Sequence, residues 1–379
     1  MYTLDISGNV PLYGQEQCNY CGAACGQMAR NGYPNPSDRL FYDQDDVWNV
    51  IQANNSTLPG DSAWATDPHG LTACMNSLSN PAGVHWSEFA DASRDTVLFD
   101  ILFWMNIRHF PSPVLINRGG HWINIVGYVT DVEPVSGSSP VLQNISVNDP
   151  EPHNVGTSTT FTASQWFNGP WNGDIMYSGT WFGKYVAVVE PPLEKGRVVV
   201  KRVKRTGDNI IKPEEARRSA EEWLRQFRSE KQERHHVLLR EDIRSMEPLL
   251  VREGVSKRVK TAPHYYIVPF ALSNDFAERG SARASVLVNA YTGAFEEVTT
   301  FGRPIRYLTR DEALAVVASA LQRSVKDLGD VAADLMFEAG EITHVRSYPF
   351  WRVELGRRTL YVDQLGRVYG KFLPAIPGD

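Results

Sequence analysis

Gln15-Glu16-Gln17-Cys18-Asn19-Tyr20-Cys21-Gly22-Ala23-Ala24-Cys25-Gly26-Gln27-Met28 sets a Gln six residues ahead of a Cys, and small residues follow that Cys. Small residues at this point suit a tightly packed helix that begins near Cys21. A helix N-terminus carries partial positive charge and favours thiolate over thiol. A nearby side-chain amide can donate to the oxyanion that forms when a thiolate attacks a carbonyl. Two later segments add to this arrangement. Gly119-Gly120-His121-Trp122-Ile123-Asn124-Ile125-Val126 heads an apolar strand with a His, and Ile145-Ser146-Val147-Asn148-Asp149-Pro150 ends another with an Asp. Gln, Cys, His and Asp are the groups a thiol nucleophile needs for acyl transfer.

In this order, and with the aromatic stretch Phe161-Thr162-Ala163-Ser164-Gln165-Trp166-Phe167-Asn168-Gly169-Pro170-Trp171, residues 1–192 resemble the papain clan of cysteine peptidases. Within it they resemble the bacterial double-glycine leader peptidases and related papain-like effectors. The resemblance implies Cys21 as nucleophile, His121 as base and acid, Asp149 as orienter and Gln15 as oxyanion donor. It implies peptide or protein substrates and calls for no cofactor. It also raises a Cys18–Cys74 disulfide, as in many secreted relatives.

Each residue has a rival reading. Cys21 would also serve as a buried structural thiol, and Cys18-x-x-Cys21-x-x-x-Cys25 as a metal-binding run, although no second Cys/His cluster follows. Cys18 is the rival nucleophile, but Gly-Ala-Ala does not follow it. A lone His on an apolar strand is commonly a core residue, and Asp before Pro commonly forms a turn. Asn148 competes with Asp149, because papain itself uses Asn. Gln15 is preferred to Gln17 by spacing. His69, His85, His109 and His153 lack comparable context, and Trp166 and Trp171 read as core or groove wall. A rival for the whole chain is an inactive papain-fold binding protein whose second half holds a partner.

The 379 residues suffice for two or three domains. Residues 1–192 hold 6 Lys+Arg against 18 Asp+Glu, and the rest holds 32 against 26, giving −12 and +6. This contrast suits two solvated surfaces of different composition or, alternatively, docking of the basic second half on the acidic first. Neither a nucleic-acid motif nor an apolar run of membrane length is present. The first residues lack a basic and apolar signal segment, which makes the cytoplasm the default compartment and leaves export open.

The element pattern predicts an α+β fold. Helices are expected over 19–30, 42–53, 68–78 and 93–110, then strands over 113–117, 122–129, 141–148 and 181–189. A boundary is expected at Pro191-Pro192. Beyond it, helices from Pro213 to about Ser229 and from Thr309 to about Arg323 each precede hairpins, and Thr309 and Glu312 have capping-box spacing. Residues 195–305 and 306–379 thus resemble tandem PepSY-like or cystatin-like modules with a regulatory or substrate-docking role.

Overall fold

The computed structural model describes all residues apart from 36–38, 40–41, 79–83, 191–197, 199–208, 230–232, 255–263, 274, 276–279, 330, 374 and 379. The chain forms two compact units. One comprises Met1–Val203 with Ala375–Asp379, and the other Lys204–Pro374. Both combine helices with a mostly antiparallel sheet, the expected α+β class, although in the first unit one strand precedes all the helices and another falls among them. The expected boundary at 191–192 lies outside the described residues.

In the first unit, α1 (Cys21–Asn31) is buried on every side. Gly22, Ala23, Ala24, Gly26 and Ala29 keep it thin enough for neighbours to close around it. α2 (Gln44–Asn54) starts at Asp43, whose side chain accepts from the Asp46 N–H. α3 (Pro68–Ser77) starts at Asp67, which accepts from the Gly70 N–H, and has Pro at its first turn. α4 (Arg94–Arg108) is capped by Ser93 and ends at His109 in the left-handed region. Its buried face includes the expected Val97, Ile101, Trp104 and Met105.

The sheet of this unit is antiparallel. Its strands are β1 (Tyr2–Asp5), β2 (Ser87–Asp91), β3 (Ser112–Ile116), β4 (His121–Thr130), β5 (Leu142–Asp149), β6 (Thr157–Thr162) and β7 (Tyr185–Val189). They lie in the order β6-β5-β4-β3-β7-β2, with β1 also on β4. β4 is the central strand and is buried almost throughout. The strand expected from Trp181 begins only at Tyr185, because Gly179 to Gly183 turn with positive φ at both glycines.

One buried carboxyl stands out in α4. Asp100 is 3% exposed, and its Oδ2 has no hydrogen-bond partner. Burial pushes its carboxyl up to about 7. The folded chain therefore holds a proton that the unfolded chain releases near pH 4, so stability falls as pH rises from about 4 to 7, by at most about 1.4 kcal/mol per pH unit. Asp100→Asn is expected to flatten this slope. Urea unfolding of both chains at pH 5 and pH 7.5 checks it, and an unchanged slope would refute it.

The second unit has strands β8 (Ile243–Ser245), β9 (Leu249–Glu253), β10 (His264–Leu272), β11 (Ala282–Asn289), β12 (Phe295–Ile305), β13 (Ala332–Phe337), β14 (Phe350–Leu355), β15 (Arg358–Val362) and β16 (Val368–Tyr369). After the short α5 (Ala163–Asn168) of the first unit, the expected helices appear as α6 (Pro213–Ser229) and Arg310–Ala320, and the Thr309–Glu312 capping box is formed. The two expected modules share one sheet, in which β13 pairs in parallel with β9. β10 explains the sharing. Its Tyr266, Val268, Phe270 and Leu272 join the apolar cluster of α6, while Tyr265 and Ile267 join that of the helix Arg310–Ala320. Alternate residues of a strand face opposite sides, so one strand serves both cores.

Candidate active site

β4 and β5 run antiparallel with Asn124 opposite Asn148. This register puts the start of one strand beside the end of the other and makes His121 and Asp149 diagonal neighbours. The His121 Nε2 lies 2.8 Å from Asp149 Oδ1. Asp149 Oδ1 also accepts from the Glu151 N–H at 2.9 Å, which fixes the carboxylate. Asn148, one residue away and therefore alternating to the other side, donates instead to the Val10 carbonyl at 3.4 Å.

Cys21 is the first residue of α1, as the small-residue run predicts. The His121 ring also hydrogen-bonds its thiol. With Nε2 committed to Asp149, Nδ1 is the nitrogen left for sulfur. The Trp122 N–H donates to Cys21 Sγ at 3.3 Å, and Asn124 Nδ2 donates to the Cys25 carbonyl at 2.9 Å. Four helical residues rise about 6 Å and two strand residues span about 6.7 Å, so two matched bonds pin helix to strand. Gly22 is required beside Cys21: a Cβ there would lie 2.3 Å from Thr66 Cγ2 and 2.6 Å from its Cβ.

His121 is wholly buried. Burial alone would lower its pKa, but the Asp149 carboxylate and the Cys21 sulfur raise it well above the usual imidazole range. The site thus favours an imidazolium beside sulfur. The other buried thiols differ. Burial drives Cys25 well up, an effect reinforced by Cys21 and Asp149, and drives Cys74 up to about 12 against the pull of Arg30.

Gln15 is 1% exposed, whereas Gln17 is exposed. Its backbone N–H donates to Pro150 O and its carbonyl accepts from the Asn154 N–H, both at 2.9 Å, which zips it to the loop following Asp149. Its Nε2 donates to Cys18 O at 2.9 Å. An amide nitrogen has two hydrogens, so one remains for a ligand oxygen. Gln44 holds this loop from both sides, accepting from the Glu16 N–H and donating to Gly14 O. Sequence reasoning did not single out Gln44, Trp122 or Asn124. A polar Asn inside an otherwise apolar strand was the available signal for the last.

The Cys18–Cys74 disulfide is not formed. Cys18 is exposed, whereas Cys74 is buried in α3 with its Sγ toward Val47 O at 3.6 Å. The helical position of Cys74 directs its thiol into the core. Among the described residues no group of three His, Cys, Asp or Glu is arranged to hold a metal. His69 meets Glu88, His153 meets Glu16 O, and His109 ends α4. Trp166 and Trp171 are buried against each other. Among the described residues no helix is long and apolar enough to cross a membrane. Compared with family models, with curated proteins and with solved structures, the chain matches none of them.

Proposed function

We propose that the first unit is a papain-like cysteine peptidase acting through Cys21, His121 and Asp149, with Gln15 as oxyanion donor. The observation that carries this reading is the buried relay in which one imidazole bonds both the Cys21 thiol and the Asp149 carboxylate. A core histidine needs no sulfur partner at a helix start, and a turn-forming Asp needs no buried imidazole. His121 takes the thiol proton, and Asp149 fixes the ring and balances its charge. Sulfur attacks a peptide carbonyl. Gln15 and the Cys21 backbone N–H donate to the oxyanion. His121 then protonates the leaving amine, and water releases the acyl group.

The test is cleavage of a diverse peptide library by the full chain. Cys21→Ala should abolish all cleavage. Asp149→Ala should reduce kcat by less than the loss of His121 does, and Asn148→Ala should leave it nearly intact. A severe Asn148→Ala with a silent Asp149→Ala would give the orienting role to Asn148. Undiminished cleavage by Cys21→Ala would dismiss the reading.

A further inference from the structure

Residues 375–378 belong to the first unit and lie in its candidate active site. The Gly378 carbonyl oxygen is 3.5 Å from Cys21 Sγ, across a sequence separation of 357. Three further bonds hold the segment through its backbone. The Gly378 N–H donates to Gly119 O at 2.8 Å, the Ala65 N–H donates to Pro377 O at 3.0 Å, and the Tyr177 hydroxyl donates to Ala375 O at 2.6 Å. Main-chain bonds reach the segment from both sides where it turns at Pro377 and Gly378, and such bonds grip a peptide irrespective of its side chains. Cys21 is fully buried.

Gly378 fits because it is glycine. Its φ is +67°, and a Cβ would stand 2.0 Å from Thr66 O and 2.9 Å from Thr66 C, both backbone atoms. Thr66 is itself fixed, since its carbonyl accepts from Trp122 Nε1 at 3.0 Å. The wall beside the carbonyl therefore cannot retreat to admit a side chain.

We propose that this segment is a substrate of its own chain, cleaved in cis after Gly378; the proposal rests on the peptidase reading above. A carbonyl carbon lies about 1.2 Å beyond its oxygen, and the oxygen faces sulfur, so the Gly378 carbon stands roughly 4 Å from Sγ and a small rotation of the carbonyl brings it to the roughly 3–3.5 Å from which attack proceeds. The Cys21 thiolate adds to that carbon. The bond to the Asp379 nitrogen breaks, its electron pair stays on nitrogen, and the nitrogen takes the His121 proton. Water, deprotonated by His121, then adds to the thioester, expels the thiolate and leaves a Gly378 carboxylate. No oxidant or cofactor enters the balance.

Intact-mass measurement of the freshly purified full chain over time tests this. A species ending at Gly378 should accumulate at a rate independent of protein concentration. Cys21→Ala should retain Asp379. Gly378→Val should slow the loss by about 10²-fold or more, since misplacement by about 1 Å costs that much, and should still cleave library peptides. Retention of Asp379 by a wild-type chain that hydrolyses peptides would overturn cis cleavage and leave the peptidase reading standing. Equal loss from wild type and Cys21→Ala, or trimming of the Cys21→Ala chain by added wild type, would also overturn it. Retention of Asp379 with no peptide hydrolysis at all would dismiss both.

Discussion

Replacing His121 with Ala is expected to lower peptide turnover by about 10²–10⁴-fold, the usual worth of a positioned acid–base group. In the proposed mechanism the ring serves both halves of the reaction, taking the thiol proton and then protonating the departing amine. No other described His shares its contacts: His69, His109 and His153 are engaged elsewhere. The loss should fall on kcat more than on KM, because the backbone bonds that grip a peptide do not involve the imidazole. The substitution empties a buried position, so circular dichroism and thermal melting must accompany the assay. A folded His121→Ala chain within a few-fold of wild-type turnover would contradict the assignment.

The second large effect lies in the other unit and concerns stability. Arg346, 4% exposed, pairs with Glu253, Glu296 and Glu297, stacks at 4.1 Å over Tyr265, and its carbonyl accepts from the Tyr265 hydroxyl. Removing one partner from such a cluster strands the others in low dielectric. Arg346→Met is therefore expected to destabilise the fold by about 3–5 kcal/mol. Burial already pushes Glu297 up to about 7, although Arg346 pulls it down. Without the guanidinium, protonation is the remaining way to neutralise that carboxylate. The deficit should thus shrink as pH falls from about 8 to 5. Urea unfolding at both pH values measures it, and a loss under about 1 kcal/mol at pH 8 would contradict the account.

Much of this arrangement is legible in the sequence. The Gly-Ala-Ala run after Cys21 fixes a thin buried helix, and the apolar run after His121 fixes a central strand, because small size and unbroken apolarity each have one inexpensive solution. Local pattern does not say which of Asn148 and Asp149 meets His121, since both are polar and adjacent, and only the resemblance favours Asp149. Strand register places Asp149 beside His121, and register depends on the whole sheet. β1, β2 and β6 escape a pattern reading for separate reasons. β1 has only four residues, and β2 is half-buried along its length at the sheet edge. β6 buries Thr and Ser, with Thr160 bonded to Ser146, so its polarity hides its burial. The placement of 375–378 is the least legible feature. Its contacts are backbone bonds to residues hundreds of positions away, and Ile376-Pro377-Gly378 reads locally as a spacer.

Alkylation by iodoacetamide as a function of pH, with each thiol mapped by mass spectrometry, tests the central claim most directly. It should be run on the wild-type chain and on Gly378→Val, in which a side chain would collide with the Thr66 backbone. The account predicts that Cys21 is modified at mildly acidic pH before Cys18, Cys25 or Cys74, that peptidase activity disappears in step with it, and that His121→Ala removes this acidic reactivity. Preferential modification of Cys18, or full activity after Cys21 has been alkylated, would contradict it.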